Sequence, residues 1–536
     1  ISGQVKDAES SITLPGVNII IKGTSIGTTT DSDGNYKIEV PSTESVLVFS
    51  FIGYSAAEVE VGTRSTLDIA LVPDIGMFDE IVVVGYGEQK RITTTGAITS
   101  VSGDDLVKAP VSGISNALVG LTSGVQALQT SGEFGSDQAS IRIRGIATLN
   151  RGGSGPLILV DGVERETYNN IDPNAIESIN ILKDASSTAV FGVRGANGVI
   201  LITTKEGQSG KPKVHVAGNW AGLQPSILPE YLNAHDYAVL RNEAQINMER
   251  APSFSEEDLR LYKSGEDPIF HPDHDWLDEL LKPFSYQQNY NVNISGGSER
   301  LRYFTSLGYF GQSGGYHAPE QSLGFPFKHT YDKYNIRMNF NFDLSDDFTM
   351  SVKLGNQITN NSVPNGGAWG AFDKAASYPP MSSPAFVDGK YISEVKGLPA
   401  GVPHFNPWAQ AGPTSAGGAF VTESFSNTIN TNISLEYDLH KIIDGLSVRA
   451  MGAYDSYYNV VSQRSSNFPK YTVMKNPNDP DDYIMYQNNE DGPFFGLSKG
   501  ISNNNKWRKL YGEAGLEYKK LFGDHMVSGL ILGTME

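Results

Sequence analysis

Residues 333–344, Lys-Tyr-Asn-Ile-Arg-Met-Asn-Phe-Asn-Phe-Asp-Leu, place an apolar side chain at every even position and a polar one at every odd position. Such a period of two marks a strand whose faces meet different surroundings. At a rise of roughly 3.3 Å per residue the run reaches about 40 Å, enough to cross a hydrocarbon core about 30 Å thick when tilted. The pattern returns at 428–440, with Ile429, Ile433, Leu435, Tyr437 and Leu439 on one face and Asn430, Asn432, Glu436 and Asp438 on the other. Further strands are predicted at 289–296, 301–310, 348–358, 446–458, 508–519 and 524–533. A half-buried soluble sheet alternates in the same way. Two features favour a bilayer: strands longer than the usual five or six residues, and polar faces rich in Asn, Asp, Glu and Arg, as a water-filled lumen requires. The polar connections 359–425 and 461–505 are then expected outside the cell, and the tight turn near 345–347 in the periplasm.

Residues 1–73 read differently, as short strands separated by Gly, Pro and Asp, which predicts a small β-sandwich. Asp31-Ser32-Asp33-Gly34 imitates the start of a calcium loop, but Ser42 stands where the closing Glu belongs, so a tight turn is expected. Gly23-Thr24-Ser25-Ile26-Gly27 matches a nucleophile elbow without the helix that must follow it.

A linker at 74–90 carries Asp79-Glu80-Ile81-Val82-Val83-Val84-Gly85. This β-branched run suits either a buried strand or a strand added to the sheet edge of a partner. Residues 91–210 then alternate helix and strand signals. Ile114, Ala117, Leu118 and Leu121 share one helical face over 110–124, and Gly124 ends it. Strands are predicted around 141–145, 156–162, 178–183 and 199–205. Asp172-Pro173 opens a single turn, and Asp184 caps a short helix through Phe191.

The ordered pieces DEIVVVGYGEQK, NALVGLTSGVQ, IRIRG, PLILVDGV and IESINILKDASSTAVFGVRGANGVILITTK resemble the TonB box and plug of the SusC-like TonB-dependent transporters, which serve glycan uptake in Bacteroidetes. DSDGNYKIEV followed by FIGY resembles the carboxypeptidase-regulatory-like domain that precedes the TonB box in that subfamily. The resemblance implies a mainly β chain: a transthyretin-like β-sandwich (1–73), a linker with the TonB box (74–90), an α+β plug (91–210) and, over 211–536, the first strands of a 22-stranded antiparallel transmembrane barrel, incomplete in this chain. It implies active import of an oligosaccharide across the outer membrane, with the N-terminal domain in the periplasm. Residues 79–85 would pair with the periplasmic C-terminal domain of TonB. A SusD-like surface lipoprotein, outer-membrane lipid and the remainder of the barrel are the other implied partners. Plug loops at 130–138, 148–155 and 164–170 would face the ligand with Glu133, Phe134, Asn150, Arg151, Arg165 and Tyr168, while Arg142 and Arg144 would anchor the plug to acidic lumen residues. The alternatives are a receptor or signal transducer without transport, an importer of peptides, and a secreted sugar-binding or hydrolytic β-protein.

Composition adds boundaries. With 41 basic and 60 acidic residues the net charge is −19, which opposes nucleic-acid binding. The lack of Cys removes disulfides and thiolate metal sites. The 57 Gly, 25 Tyr and 24 Phe fit turn-rich strands with aromatic girdles. His271-Pro272-Asp273-His274-Asp275 groups metal-ligand types without fixing a geometry, and the tract 476–482 offers oxygens for calcium but reads as a loop. No cofactor and no metal site are expected, and no catalytic pair or triad emerges, so no enzyme is expected.

Overall fold

The computed structural model describes the chain except residues 9–11, 23, 25, 44, 52–53, 55–56, 72–80, 85–86, 91–96, 109–110, 112, 133–137, 146–153, 318–328, 365–366, 407–418, 468, 489–493, 501–505 and 524. Its contacts group residues 1–100 with 180–201 in one compact unit, and 101–179 with 202–536 in another.

The first unit begins with a sandwich of β1 (Ser2–Asp7), β2 (Asn18–Ile21), β3 (Gly27–Thr29), β4 (Asn35–Lys37), β5 (Val46–Ser50), β6 (Ala57–Glu60) and β7 (Ile69–Leu71). One sheet runs β4-β1-β7 and the other β3-β2-β5-β6. Val5, Ile19, Leu47, Phe49 and Leu71 form its sealed centre. The Asp31 run is the expected turn: its Oδ1 accepts from the backbone N–H of Asp33 and Asn35 at 2.9 and 2.8 Å. Downstream, β8 (Ile81–Val84) pairs antiparallel with β9 (Gly87–Lys90).

The plug motifs build a five-stranded sheet in the order β10-β15-β16-β13-β14, from β10 (Ile98–Ser102), β13 (Leu157–Val160), β14 (Val163–Glu164), β15 (Ile176–Leu182) and β16 (Val199–Thr204). A hairpin of β11 (Val125–Leu128) and β12 (Ser140–Ile143) accompanies it. Both predicted caps form: Asp172 accepts from the N–H of Asn174 at 2.8 Å, and Asp184 from that of Ser187 at 2.9 Å. Asp184 also accepts from the N–H of Ala97 at 2.6 Å, and these bonds hold its carboxyl well below the usual carboxylate range. The predicted helix over 110–124 is shorter, Ile114–Ala117. Gly120 adopts φ of +77°, which breaks the spiral, so Leu121 turns outward while Ile114, Ala117 and Leu118 stay buried.

Ten long strands form one antiparallel sheet: β17 (Gly210–Leu223), β18 (Ser285–Gly297), β19 (Leu301–Ser313), β20 (Thr330–Ser345), β21 (Phe348–Pro364), β24 (Ala419–Asp438), β25 (Leu446–Asn467), β28 (Phe494–Gly500), β29 (Lys506–Phe522) and β30 (His525–Met535). Its polarity is inverted relative to a soluble sheet. Ile429, Ile433, Leu435 and Tyr437 are exposed, whereas Asn427, Asn430 and Asn432 are buried. In β24 the exposed apolar stretch 429–437 matches the roughly 9–11 residues of a bilayer-crossing strand. Tyr290, Tyr309 and Tyr334 stand opposite one another across β18, β19 and β20, with ring centroids 6.3 and 5.1 Å apart, as in an aromatic girdle.

Tight turns join strands at one end of this sheet, and every long connection lies at the other. Three of those connections share a core. The helices Ala234–Asn247 and Glu256–Ser264 follow β17; the sheet β22-β23-β26-β27 uses β22 (Phe386–Val387) and β23 (Lys390–Lys396) from the β21–β24 connection, and β26 (Tyr471–Asn476) and β27 (Asp479–Gln487) from beyond β25. Ala234, Ala238, Tyr262, Ile392, Val395 and Val473 meet in it.

If the exposed apolar face of the ten-stranded sheet meets lipid, Leu354→Arg should cost about 2–4 kcal/mol near the midplane. Denaturant titration of protein folded into lipid vesicles measures this, and unchanged stability would remove that face from the hydrocarbon.

Candidate functional site

The site begins at a strained turn. Asp161 and Gly162, between β13 and β14, take φ of +50° and +84°. Glycine enters that region freely and Asp does so more easily than most residues. The turn aims the Asp161 carboxylate at the polar face of β20 and β21. Lys353 Nζ lies 3.2 Å from it and Arg337 Nη1 3.4 Å. The Thr204 N–H and hydroxyl, both at 3.1 Å, complete the shell. Burial alone would raise this carboxyl, but Lys353 and Arg337 outweigh it and bring it down to about 2. Lys353 also reaches Glu206 Oε1 at 2.7 Å.

A second buried pair lies a few residues on. Arg165 Nε contacts Asp455 Oδ2 of β25 at 3.1 Å, and its Nη2 donates to Asn432 Oδ1 of β24 at 2.7 Å. Both charged side chains are 4% exposed, so each depends on the other for solvation. Neutral amides extend the seam. Asn339 Nδ2 donates to Lys205 O at 2.7 Å, Asn341 Nδ2 to Glu206 Oε2 at 2.8 Å, and Asn170 Nδ2 to Asn430 Oδ1 at 3.0 Å. Asn291 Nδ2 donates to Asp172 Oδ2 at 3.3 Å. Next to it, a Cβ on Gly308 would lie 2.1 Å from the same oxygen, so a larger residue there would push the Asp172 carboxylate out of this contact. Segments 161–174 and 204–206 are thus bonded to β18, β20, β21, β24 and β25 through polar groups.

The predicted site residues divide into four groups. Asp79, Glu80, Gly85, Glu133, Phe134, Asn150 and Arg151 lie outside the described residues. Ile81, Val82, Val83 and Val84 form β8, paired on one edge with β9. Arg165 and Tyr168 require correction. Expected on an outward loop, both are buried, the guanidinium occupied by Asp455 and Asn432, and the Tyr168 phenol pushed above its ordinary range by burial. The anchoring expected of Arg142 and Arg144 falls instead to Asp161 and Arg165. Arg142 is half-buried in β12 and Arg144 is exposed at φ of +55°, and neither forms an ion pair with a described residue. Arg337, Lys353 and Asp455 were not singled out, although each is a charge at a polar position of an alternating strand.

The 271–275 run is engaged in local structure. His271 contacts Asp267 at 2.9 Å and Asp258 at 3.0 Å, and His274 contacts Glu279 at 2.5 Å. Asp273 accepts from the Ala234 N–H at 2.7 Å, and Asp275 caps the helix Trp276–Leu280. Among the described residues no three His, Asp or Glu side chains are grouped to hold a metal.

Asp455→Ala should leave Arg165 charged, buried and unpaired, lowering stability in detergent by about 3–5 kcal/mol, whereas Arg165→Met with Asp455→Leu should be close to neutral. An equal loss in both would show that the charge pair is not the cause. Asp161, whose pKa is lowered to about 2 when folded, contributes stability that is complete above the ordinary carboxyl pKa of about 4 and is lost as pH falls toward 2, on the order of 2 kcal/mol. Asp161→Asn should remove that part of the acid dependence in thermal melts taken across this range.

Comparison with known proteins agrees with this architecture. Residues 1–83 match the CarboxypepD_reg-like domain and residues 90–199 the TonB-dependent Receptor Plug Domain. TonB-dependent receptor P26 of Formosa agariphila is 37% identical over 445 residues, covering 82% of this chain and 41% of that protein. TonB-dependent receptor SusC of Bacteroides thetaiotaomicron is 32% identical over 324 residues, 59% of this chain and 30% of that one. The RagAB peptide importer in its open-open state aligns with a TM-score of 0.64 at 23% identity, over 85% of this chain and 48% of that one, a likeness of fold. The chain spans about two-fifths of the length of the curated relatives it matches, P26 at 41% and P3 of the same organism at 42%. With the regulatory-like domain, the plug and the polar-faced strands all present in order, the chain belongs to the SusC-like TonB-dependent receptors.

Proposed function

We propose that this chain works in TonB-dependent import of an oligosaccharide across the outer membrane, together with a SusD-like surface lipoprotein. One observation carries the reading: the plug segments meet the polar strand faces through hydrogen bonds and ion pairs. A seam of this kind can part, because each bond broken is replaced by one to water, so a neutral bond costs only about 0.5–1.5 kcal/mol net. A purely apolar seam would have no such substitute.

In this mechanism ligand binds on the side of the long connections. Residues 79–85 pair as a strand with the periplasmic domain of TonB, and the inner-membrane proton gradient supplies the pull. Force along a hydrogen-bonded strand loads several bonds together, so the grip outlasts the plug contacts. The shared charges of Lys353 and Arg165 return the plug to its place afterwards.

The glycan assignment follows the subfamily resemblance. A peptide cargo is the second reading, since the solved RagAB structures are of a peptide importer, but a likeness at that identity bears on fold alone. A receptor that binds without transport is the third.

Deleting residues 79–85 should abolish uptake in cells while surface binding of ligand persists. Uptake at the wild-type rate would overturn the TonB reading, and loss of both would point to a misassembled receptor.

A further inference from the structure

At the long-connection end of the ten-stranded sheet, a recess of about 270 Å³ lies between residues 231–237, the start of the helix Trp276–Leu280 and the end of the helix Gly367–Ser377. It is far from the Asp161 and Arg165 contacts in sequence and shares no residue with them. Tyr231, Tyr237, His274, Trp276, Tyr378 and Pro379 are among its walls.

The wall is built to stay in place without a ligand. The His274 imidazole stacks on the Trp276 indole, with centroids 4.3 Å apart and planes at 25°. Trp276 Nε1 donates to Pro379 O at 3.1 Å, tying the two sides of the recess together. His274 Nδ1 lies 2.5 Å from the Glu279 carboxylate. That acceptor keeps a proton on Nδ1 and leaves Nε2 to pair with a ligand group, which a hydroxyl, able both to donate and to accept, can do. Nε2 is buried and has no partner among the described residues, a costly arrangement for a polar atom that a ligand hydroxyl would relieve. The hydroxyls of Tyr231, Tyr237 and Tyr378 also hydrogen-bond no described group. Tyr231 stands 56% exposed at the rim.

A recess smaller than the roughly 300–1,000 Å³ of drug-sized pockets admits one ring. Its occupant must offer an apolar face to the aromatic walls, an O–H to Nε2, and further hydroxyls to the phenols and to water at the open side. A pyranose has all three: axial C–H groups on one face and hydroxyls round its edge. A phenyl or prolyl ring has the face but no donor.

We propose that this recess holds one pyranose residue of a saccharide, as a binding site outside the plug. The carboxylate in its lining, Asp275, which also caps the helix Trp276–Leu280, disfavours acidic sugars over uncharged ones. The saccharide is either a soluble glycan chain or the sugar portion of the cell's own surface polysaccharide, and the chemistry of recognition is the same for both. The proposal extends the import reading without depending on it, because the recess needs neither residues 79–85 nor TonB.

The test is titration calorimetry of the full-length protein in detergent with neutral tetrasaccharides of glucose, galactose, mannose and rhamnose. A single-ring site should bind one series with Kd on the order of 1 mM. Tyr231→Ala should weaken that binding about tenfold. His274→Phe keeps a ring on Trp276 but removes Nε2, and should weaken it comparably. Displacement by core oligosaccharide from the organism's lipopolysaccharide would assign the surface source, and its failure to compete the soluble one. Binding of none of the four series, binding indifferent to both substitutions, or tighter binding of N-acetyltyrosine amide than of any saccharide overturns the proposal. Because Tyr231 is exposed, that variant folds even if His274→Phe does not. The 79–85 deletion should leave this binding unchanged, so failure of the import reading and failure of this one are told apart.

Discussion

Hydrocarbon offers no hydrogen bonds, and that constraint organises the chain. Strands must satisfy their backbone groups against neighbouring strands, and the long registers do this for the strands between β17 and β30, which themselves are paired on one side only. Alternation then sends one set of side chains to the lipid and the other inward. Leu354, Ile433 and Leu435 face out, while Arg337, Asn339 and Asn432 face in and are buried. A buried polar face is costly unless it is matched. The plug segment does the matching, since its Asp161, Arg165 and Asn170 meet charges and amides on the strands. The inverted sheet and the polar seam are therefore two results of one requirement.

The same requirement explains why the seam contains charge at all. Arg165 and Asp455 gain little net energy from each other compared with a well-packed apolar pair. What they add is direction: each charge tolerates burial only opposite its partner, so the plug segment has one favourable seat. Lys353, held between Asp161 and Glu206, works in the same way.

The strands were legible because a period of two is written locally. Residues 333–344 and 428–440 needed no information from elsewhere, and the turn at Asp31 and the caps at Asp172 and Asp184 were equally local. The helix over 110–124 was overdrawn because Leu121 fits the helical period while the left-handed turn at Gly120 does not show in it. Side-chain roles in the plug were misread for a different reason. Arg142, Arg144 and Arg165 look alike in sequence, and what separates them is Asp455, some 290 residues away along the chain. Pairing at that distance leaves no periodic mark. The shared core of the three long connections was invisible on the same ground, since Ile392 and Val473 belong to stretches that read as polar connections and their partner Ala234 lies more than 150 residues from either.

That shared core has a consequence for the order of events during assembly. None of its three contributing stretches can seal Tyr262, Ile392 or Val473 alone, and closing such long loops in a free chain carries a large entropic penalty. Once β17 through β25 are in register, their ends already hold the three stretches close together, and most of that penalty is gone. The cap is then a late-forming structure with high contact order, templated by the sheet beneath it. A defect in strand register would reach the cap as a failure to nucleate, although the substituted residue lies outside its core.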